Sequence, residues 1–210
     1  DLSPITTLGT YPLALLVRSD VPANTVAEYI AYAKAQNRPM NFGISTIGAS
    51  MHFAALEFSN QTGVPMVFPP YKSGSIGALN DLIGKQIDGI FEGAVFKPHA
   101  DGGRVKALFM GLKDRMPGWD LPSATEVGLP NFDMTAWYGL MVPSATPNAI
   151  QEQLSADVRA VLAQPDVRER FAGLGIIPGG SNPKQFEAFL AKEYTKLGSF
   201  IERNRAQLSQ

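Results

Sequence analysis

The chain has 210 residues, 45% of them hydrophobic, and carries 18 Lys and Arg against 19 Asp and Glu. This is an ordinary globular composition, and the absence of a basic stripe argues against a nucleic-acid partner. No apolar run approaches the roughly 18 residues of a membrane span. Cysteine is absent, which excludes disulfides, thiolate metal sites and a Cys nucleophile.

The chain order alternates strand and helix. Asp1 opens mid-pattern, with no signal peptide in view, so a removed signal, a truncation or both are expected. Tyr11 to Val17 is an apolar strand. Thr25 to Ala35 reads as a helix, with Thr25 and Glu28 forming a capping box. Met40 to Ser45 is a strand and Ser50 to Gln61 a helix, with Gly63 at its C-cap. Val64 to Pro69, Ile87 to Phe91 and Val105 to Met110 read as further strands. Ile76 to Ile83 is helical, and a short helical turn covers Phe96 to Ala100. This β-α-β-α-β-α-β order predicts a parallel sheet with helices on both faces.

After Gly111 the pattern changes. Asp114 to Pro122 is a loop, and Phe132 to Val142 is a strand region. Three helices follow: Pro147 to Ala163, Asp166 to Leu174, and one from Asn182 with Pro183 at N1 and Gln185 at N3. Ile150, Leu154, Val158, Val161 and Leu162 form an apolar stripe on the first. Phe186, Phe189, Leu190, Tyr194, Leu197 and Ile201 form one on the third. The chain offers few strands for these stripes to pack on. The expectation is that further strands are missing or come from another chain.

Enzyme signatures are sparse. The two histidines, His52 and His99, share no metal-ligand spacing, and no metal or other cofactor is expected. His52 reads as a helix-face residue. No GxSxG elbow exists. Gly84-Lys85-Gln86 fails as a phosphate loop, because Gln86 stands where Ser or Thr would bind magnesium. Glu92, Asp88 and His99 could form an acid–base set, but nothing in the spacing brings them together.

Loops at the carboxyl ends of strands remain, where open α/β sheets bind ligands. Ser45, Thr46, Gly48, Ala49 and Ser50 follow one strand and open a helix. Ser73 and Gly74 do the same after the next, and Glu92 ends a third. Backbone N–H groups, hydroxyls and a helix N-terminus suit an anion. The bland alternative is an ordinary loop with a Ser50 cap. Glu92 would repel an anion unless a proton, a metal or a cationic ligand group offsets it.

Four stretches, in order, resemble the Bug proteins, the TctC-type receptors of tripartite tricarboxylate transporters: FGISTIGASMHFAALEF, VFPPYKSGSIGALNDLIGKQIDGIFEG, Pro122 to Pro130 with Trp137-Tyr138-Gly139, and the closing helices. The resemblance implies an α/β, type II periplasmic-binding-protein-like fold of two lobes, with the first lobe incomplete in this chain. Residues 11–110 would be the second lobe. Residues 1–10 and 111–210 would be the remainder of the first, with crossing strands and C-terminal helices. The family's site would map onto Ser45, Thr46, Gly48 and Ala49, then Ser73 and Gly74. The sequence departs from the family at Ile44, Thr46 and Ala49, and has Glu92 where an Asp is frequent. Those changes replace donors with methyls. They suit a less polar or aromatic carboxylate, or one carrying an amine near Glu92. The resemblance implies a periplasmic receptor with a small carboxylate ligand and membrane transporter subunits as partners, a monomer being one state it allows. An effector-binding domain of a LysR-type regulator is the alternative, since it shares the two-lobe architecture.

Overall fold

The expected strand from Tyr11 to Val17 is two strands in the computed structural model, which describes residues 1–208: β1, Leu2–Pro12, and β2, Ala14–Arg18. The other expected elements follow in the predicted order, with β8 and α8 added, which the sequence did not suggest. They are α1 (Val26–Lys34), β3 (Met40–Asn41), α2 (Ser50–Thr62), β4 (Met66–Val67), α3 (Gly74–Ile83) and β5 (Gly89–Glu92). After a 3-10 turn at Ala94–Phe96 come α4 (Lys97–Asp101), β6 (Val105–Met110), β7 (Thr135–Pro143), α5 (Asn148–Leu162), α6 (Pro165–Gly173), β8 (Ile177–Pro178), α7 (Pro183–Arg203) and α8 (Arg205–Leu208). Two compact units result, Pro12–Ala136 and Asp1–Tyr11 with Trp137–Gln210.

In the Pro12–Ala136 unit, β2 lies between β5 and β6 and runs antiparallel to both. The expected all-parallel sheet is therefore corrected at this strand. Ala14 to Val17 are fully buried, so β2 is a central strand covered on both faces. A continuous apolar run of that kind carries no sign of its direction. β3 and β4 pair in parallel, and a parallel bridge from Phe42 to Gly89 joins them to β5. The order is β4-β3-β5-β2-β6, with β3, β4, β5 and β6 sharing one direction.

Alternation along β5 sorts the two faces. Phe91 packs with Phe42, with Phe58 of α2, and with Phe109 and Phe132. Ile90 packs with Leu16 and with Ala78, Leu79 and Leu82 of α3. Helices thus cover both faces. Gly89 must lack a side chain, since a Cβ there would lie 2.5 Å from Phe42. At the amino end of β5, buried Asp88 accepts two hydrogen bonds from Arg38, at 2.6 and 2.8 Å, and one from the Asn41 N–H. Burial alone would push this carboxyl up. The Arg38 fork, the Asn41 amide and Arg18 outweigh that and hold it below the usual aspartate range.

The unit boundary falls after Ala136, not at Gly111. Gly111 donates to the Leu13 carbonyl and accepts from Met134, while Met110 donates to Pro122. Phe132 completes the aromatic core against Phe91 and Phe109. Residues 111–136 therefore belong with the β2 sheet. The Pro122 to Pro130 motif is a capped turn. Ser123 and Glu126 bond reciprocally, and Arg115 grips both Glu126 oxygens.

In the other unit, β1 lies between β7 and β8, and Thr6 and Thr7 bond to Ser181. Trp137 meets Phe186 and Phe189 edge-on, at 5.8 and 5.5 Å. A Cβ at Gly139 would lie 2.2 Å from Phe186, which explains the glycine after Trp137 and Tyr138. Asn182 and Gln185 form the expected capping box of α7. Pro147 is the N-cap of α5 rather than its first helical residue. The two apolar stripes stay largely open: Leu162 and Phe186 are buried, whereas Ile150, Val161, Tyr194 and Ile201 are exposed.

Candidate functional site

Because β3, β4 and β5 share a direction, the chain leaving each reaches the same edge of the sheet in the Pro12–Ala136 unit. Backbone contacts tie the first two exits together, and Ser75 links the second to the third. Ile44 and Pro70 form a parallel bridge, and the Tyr71 N–H donates to the Ile44 carbonyl at 2.8 Å. Ser75, in the first turn of α3, lies near enough to the Glu92 carboxyl at the end of β5 to lower its pKa. All eight sequence-predicted residues lie on these exits.

The first exit is Ile44 to Ala49. Ile44 is buried, and Thr46, Ile47 and Gly48 are exposed. Gly48 has φ +80°, a left-handed conformation that glycine adopts without strain. Ala49 is the N-cap of α2, and no side chain caps the helix. Ser50 is the first helical residue, so the bland reading of Ser50 as a cap is corrected. The Ala49 N–H donates to the Thr46 carbonyl at 3.2 Å, and the first turn of α2 begins without a side-chain cap next to Ser45, Thr46 and Ser50 in the chain. This is the arrangement in which a helix N-terminus favours an anion.

The second exit repeats it. Ser73 is the N-cap of α3 without a side-chain capping bond, and Gly74 has φ +72°. The Ser73 hydroxyl lies over Gly77, where a Cβ would stand 1.9 Å away. Tyr71 donates to Asp81 at 2.7 Å, and burial with that bond pushes its phenol up to about 12. It remains a neutral donor that fixes the loop to α3.

Glu92 is only 8% exposed. One carboxylate oxygen accepts from the Gly93 N–H at 2.7 Å, while Oε2 is buried with no hydrogen-bond partner. Burial raises its pKa above the usual glutamate range, against the opposing pull of Gly93 and Ser75. Of the three ways in which the charge of Glu92 could be offset, a cationic ligand group, a metal or a proton, its surroundings favour the proton.

The proposed acid–base set is not assembled. Asp88 precedes β5 and Glu92 ends it, about 13 Å apart along a strand, and Asp88 is committed to Arg38. His99 lies in α4, where Asp101 pairs with Lys97. Among the described residues no group of three or more His, Asp or Glu side chains could hold a metal ion.

Sequence reasoning missed two features. His52 is buried, and its Nδ1 accepts from the Gly48 N–H at 3.1 Å; a lone histidine on a helix gave no hint of this. Ile47, Ile76 and Val95 are 46%, 68% and 58% exposed, one beside each of the three exits. Their position would have been legible from the loop assignments, but their exposure was not.

Comparisons with known proteins bear on the family and the fold. BugT of Bordetella pertussis is 28% identical over 211 residues, covering 99% of this chain and 64% of that protein. A protein in the tcbD-tcbE intergenic region of Pseudomonas is 27% identical, with 63% of its length covered, so the chain spans less than two thirds of these relatives. Among solved structures, R. palustris Rpa4515 with adipate superposes with a TM-score of 0.90 at 26% identity, over 96% of this chain and 68% of that one. MatC from Rhodopseudomonas palustris with bound malate gives 0.79 at 30%, over 99% and 69%. None of these relatives is a LysR-type regulator. The model of the tripartite tricarboxylate transporter family receptor, TctC, matches residues 1–205, and the chain belongs to that family.

Proposed function

We propose that this chain is part of a periplasmic receptor that captures a small carboxylate with an apolar body and delivers it to the membrane subunits of a tripartite transporter. The observation that carries this reading is the convergence of two uncapped helix N-termini, α2 and α3, on one sheet edge beside the hydroxyls of Ser45, Thr46, Ser50 and Ser73. Those hydroxyls supply donors to a carboxylate, while the backbone N–H groups of Gly48, Ala49 and Gly74 are held by His52 Nδ1 and by the Thr46 and Tyr71 carbonyls and shape the two loops. Burial raises the Glu92 pKa and so favours its protonated form, which does not repel an anion and can donate a hydrogen bond. Exposed Ile47, Ile76 and Val95 then favour a methylene or aromatic body over a second hydrated group. The adipate and malate of the two related structures are the natural starting probes, adipate being the more apolar. In this reading the Pro12–Ala136 unit is the second lobe, and the other unit is part of the first.

Thermal shift of the complete gene product against a panel of carboxylates tests the reading, because a ligand that binds only the folded state raises its melting temperature. Adipate and aromatic acids should raise it more than malate. No response to any carboxylate would contradict the reading.

A further inference from the structure

We propose that His52 is the positioning residue of the first ligand loop, its neutral imidazole holding Gly48 in place and its protonation releasing the loop. The inference rests on the carboxylate site proposed above. His52 is the third residue of α2, where a capping box carries Glu or Gln. In α1 the residue at that position, Glu28, accepts from the backbone N–H groups of Asn24 and Thr25, at 2.7 and 3.2 Å. In α7, Gln185 accepts from the Asn182 N–H at 2.9 Å. His52 does the same work with an imidazole, taking the Gly48 N–H onto Nδ1 at 3.1 Å.

That bond fixes the tautomer. An Nδ1 that accepts is unprotonated, so the neutral ring carries its proton on Nε2. Nε2 is buried and has no hydrogen-bond partner. The ring lies 4.8 Å from Phe68 and 6.5 Å from Phe53. A phenyl ring would fill this apolar slot without burying an unsatisfied N–H. What the imidazole adds is an acceptor for Gly48, at the left-handed turn that sets the path of Thr46 to Ser50.

An acceptor of this kind can be switched off. The imidazolium ion has donors on both nitrogens and cannot take the Gly48 N–H. Burial is the sole cause holding His52 below the usual histidine range, with no charged side chain contributing from α2 or from the segment after β4 that carries Phe68. The bond therefore persists through neutral pH and is lost only as pH falls through the lowered pKa of His52, below the ordinary histidine value.

The test uses the complete gene product, with adipate as the probe, and two variants. His52→Phe fills the slot without an acceptor, and His52→Asn places a carbonyl oxygen near the position of Nδ1. Amide hydrogen exchange should show Gly48 protected in the parent, unprotected in H52F and protected again in H52N. Adipate affinity should fall at least tenfold in H52F and stay within threefold in H52N. It should weaken in mild acid in the parent and not in H52N. Equal Gly48 protection in all three proteins overturns the proposal, as does full affinity in an H52F protein whose Gly48 is unprotected. If the parent binds no carboxylate, the functional reading fails on its own, and the exchange pattern still decides whether His52 holds the loop.

Discussion

Glu92 shows how one residue's chemistry depends on its neighbours. In sequence it is an acid beside an anion site, which reads as a conflict. In the structure it shares the α3-facing side of β5 with Ile90, buried where its ionised form is poorly solvated. A folded-state pKa above the unfolded value means the buried acid is fully compatible with folding in acid. That compatibility is lost as pH rises through the folded value. Glu92→Gln should therefore stabilise the protein near pH 7 by about 1 kcal/mol, the scale of one unmet buried group. The difference should shrink as pH approaches 4, which denaturant titrations at both pH values would show. Asp88 behaves oppositely: Arg38 and Asn41 keep it ionised, and its contribution is lost as pH falls through its lowered pKa. The sequence offered Asp88 and Glu92 as one acidic set. Which carboxyl is paired depends on a contact from Arg38 across 50 residues, which no local pattern carries.

At the scale of elements, helix starts and strand exits were largely legible. Thr25 with Glu28 and Asn182 with Gln185 each specify a helix start locally, and the strand–loop–helix order placed all eight site residues on one edge. The direction of β2 was not legible, because Ala14 to Val17 are apolar on both faces. Nor was the two-residue length of β3 and β4, since the bridges that extend them are tertiary. Gly77 is a test of the second exit. Alanine is favoured over glycine inside a helix by about 1 kcal/mol, yet its Cβ would occupy the place of the Ser73 hydroxyl. Gly77→Ala should leave the melting temperature equal or higher while adipate affinity drops severalfold. Stability and affinity moving together would show instead that Ser73 has no separate role.

At the scale of the molecule, the apolar stripes of α5 and α7 were predicted from periodicity, and their exposure from the shortage of strands. Trp137, Phe186 and Phe189 bury part of the α7 stripe, whereas Tyr194 is 84% exposed. The unit boundary at Ala136 was missed because Phe132 is drawn into the β2 sheet by Phe91 and Phe109, contacts more than 20 residues away in sequence. Family membership rests on residues 1–205, and the proposed carboxylate site rests on the donors at the two helix N-termini. The most direct test is calorimetric titration of adipate into the complete gene product and into its Ser45→Ala, Ser73→Ala double variant. Hydrogen bonds to a charged group are worth about 1.5–3 kcal/mol each. The account predicts saturable binding to the parent and an affinity at least about 100-fold lower in the variant, with its melting temperature unchanged. A variant that binds adipate as tightly as the parent would contradict it.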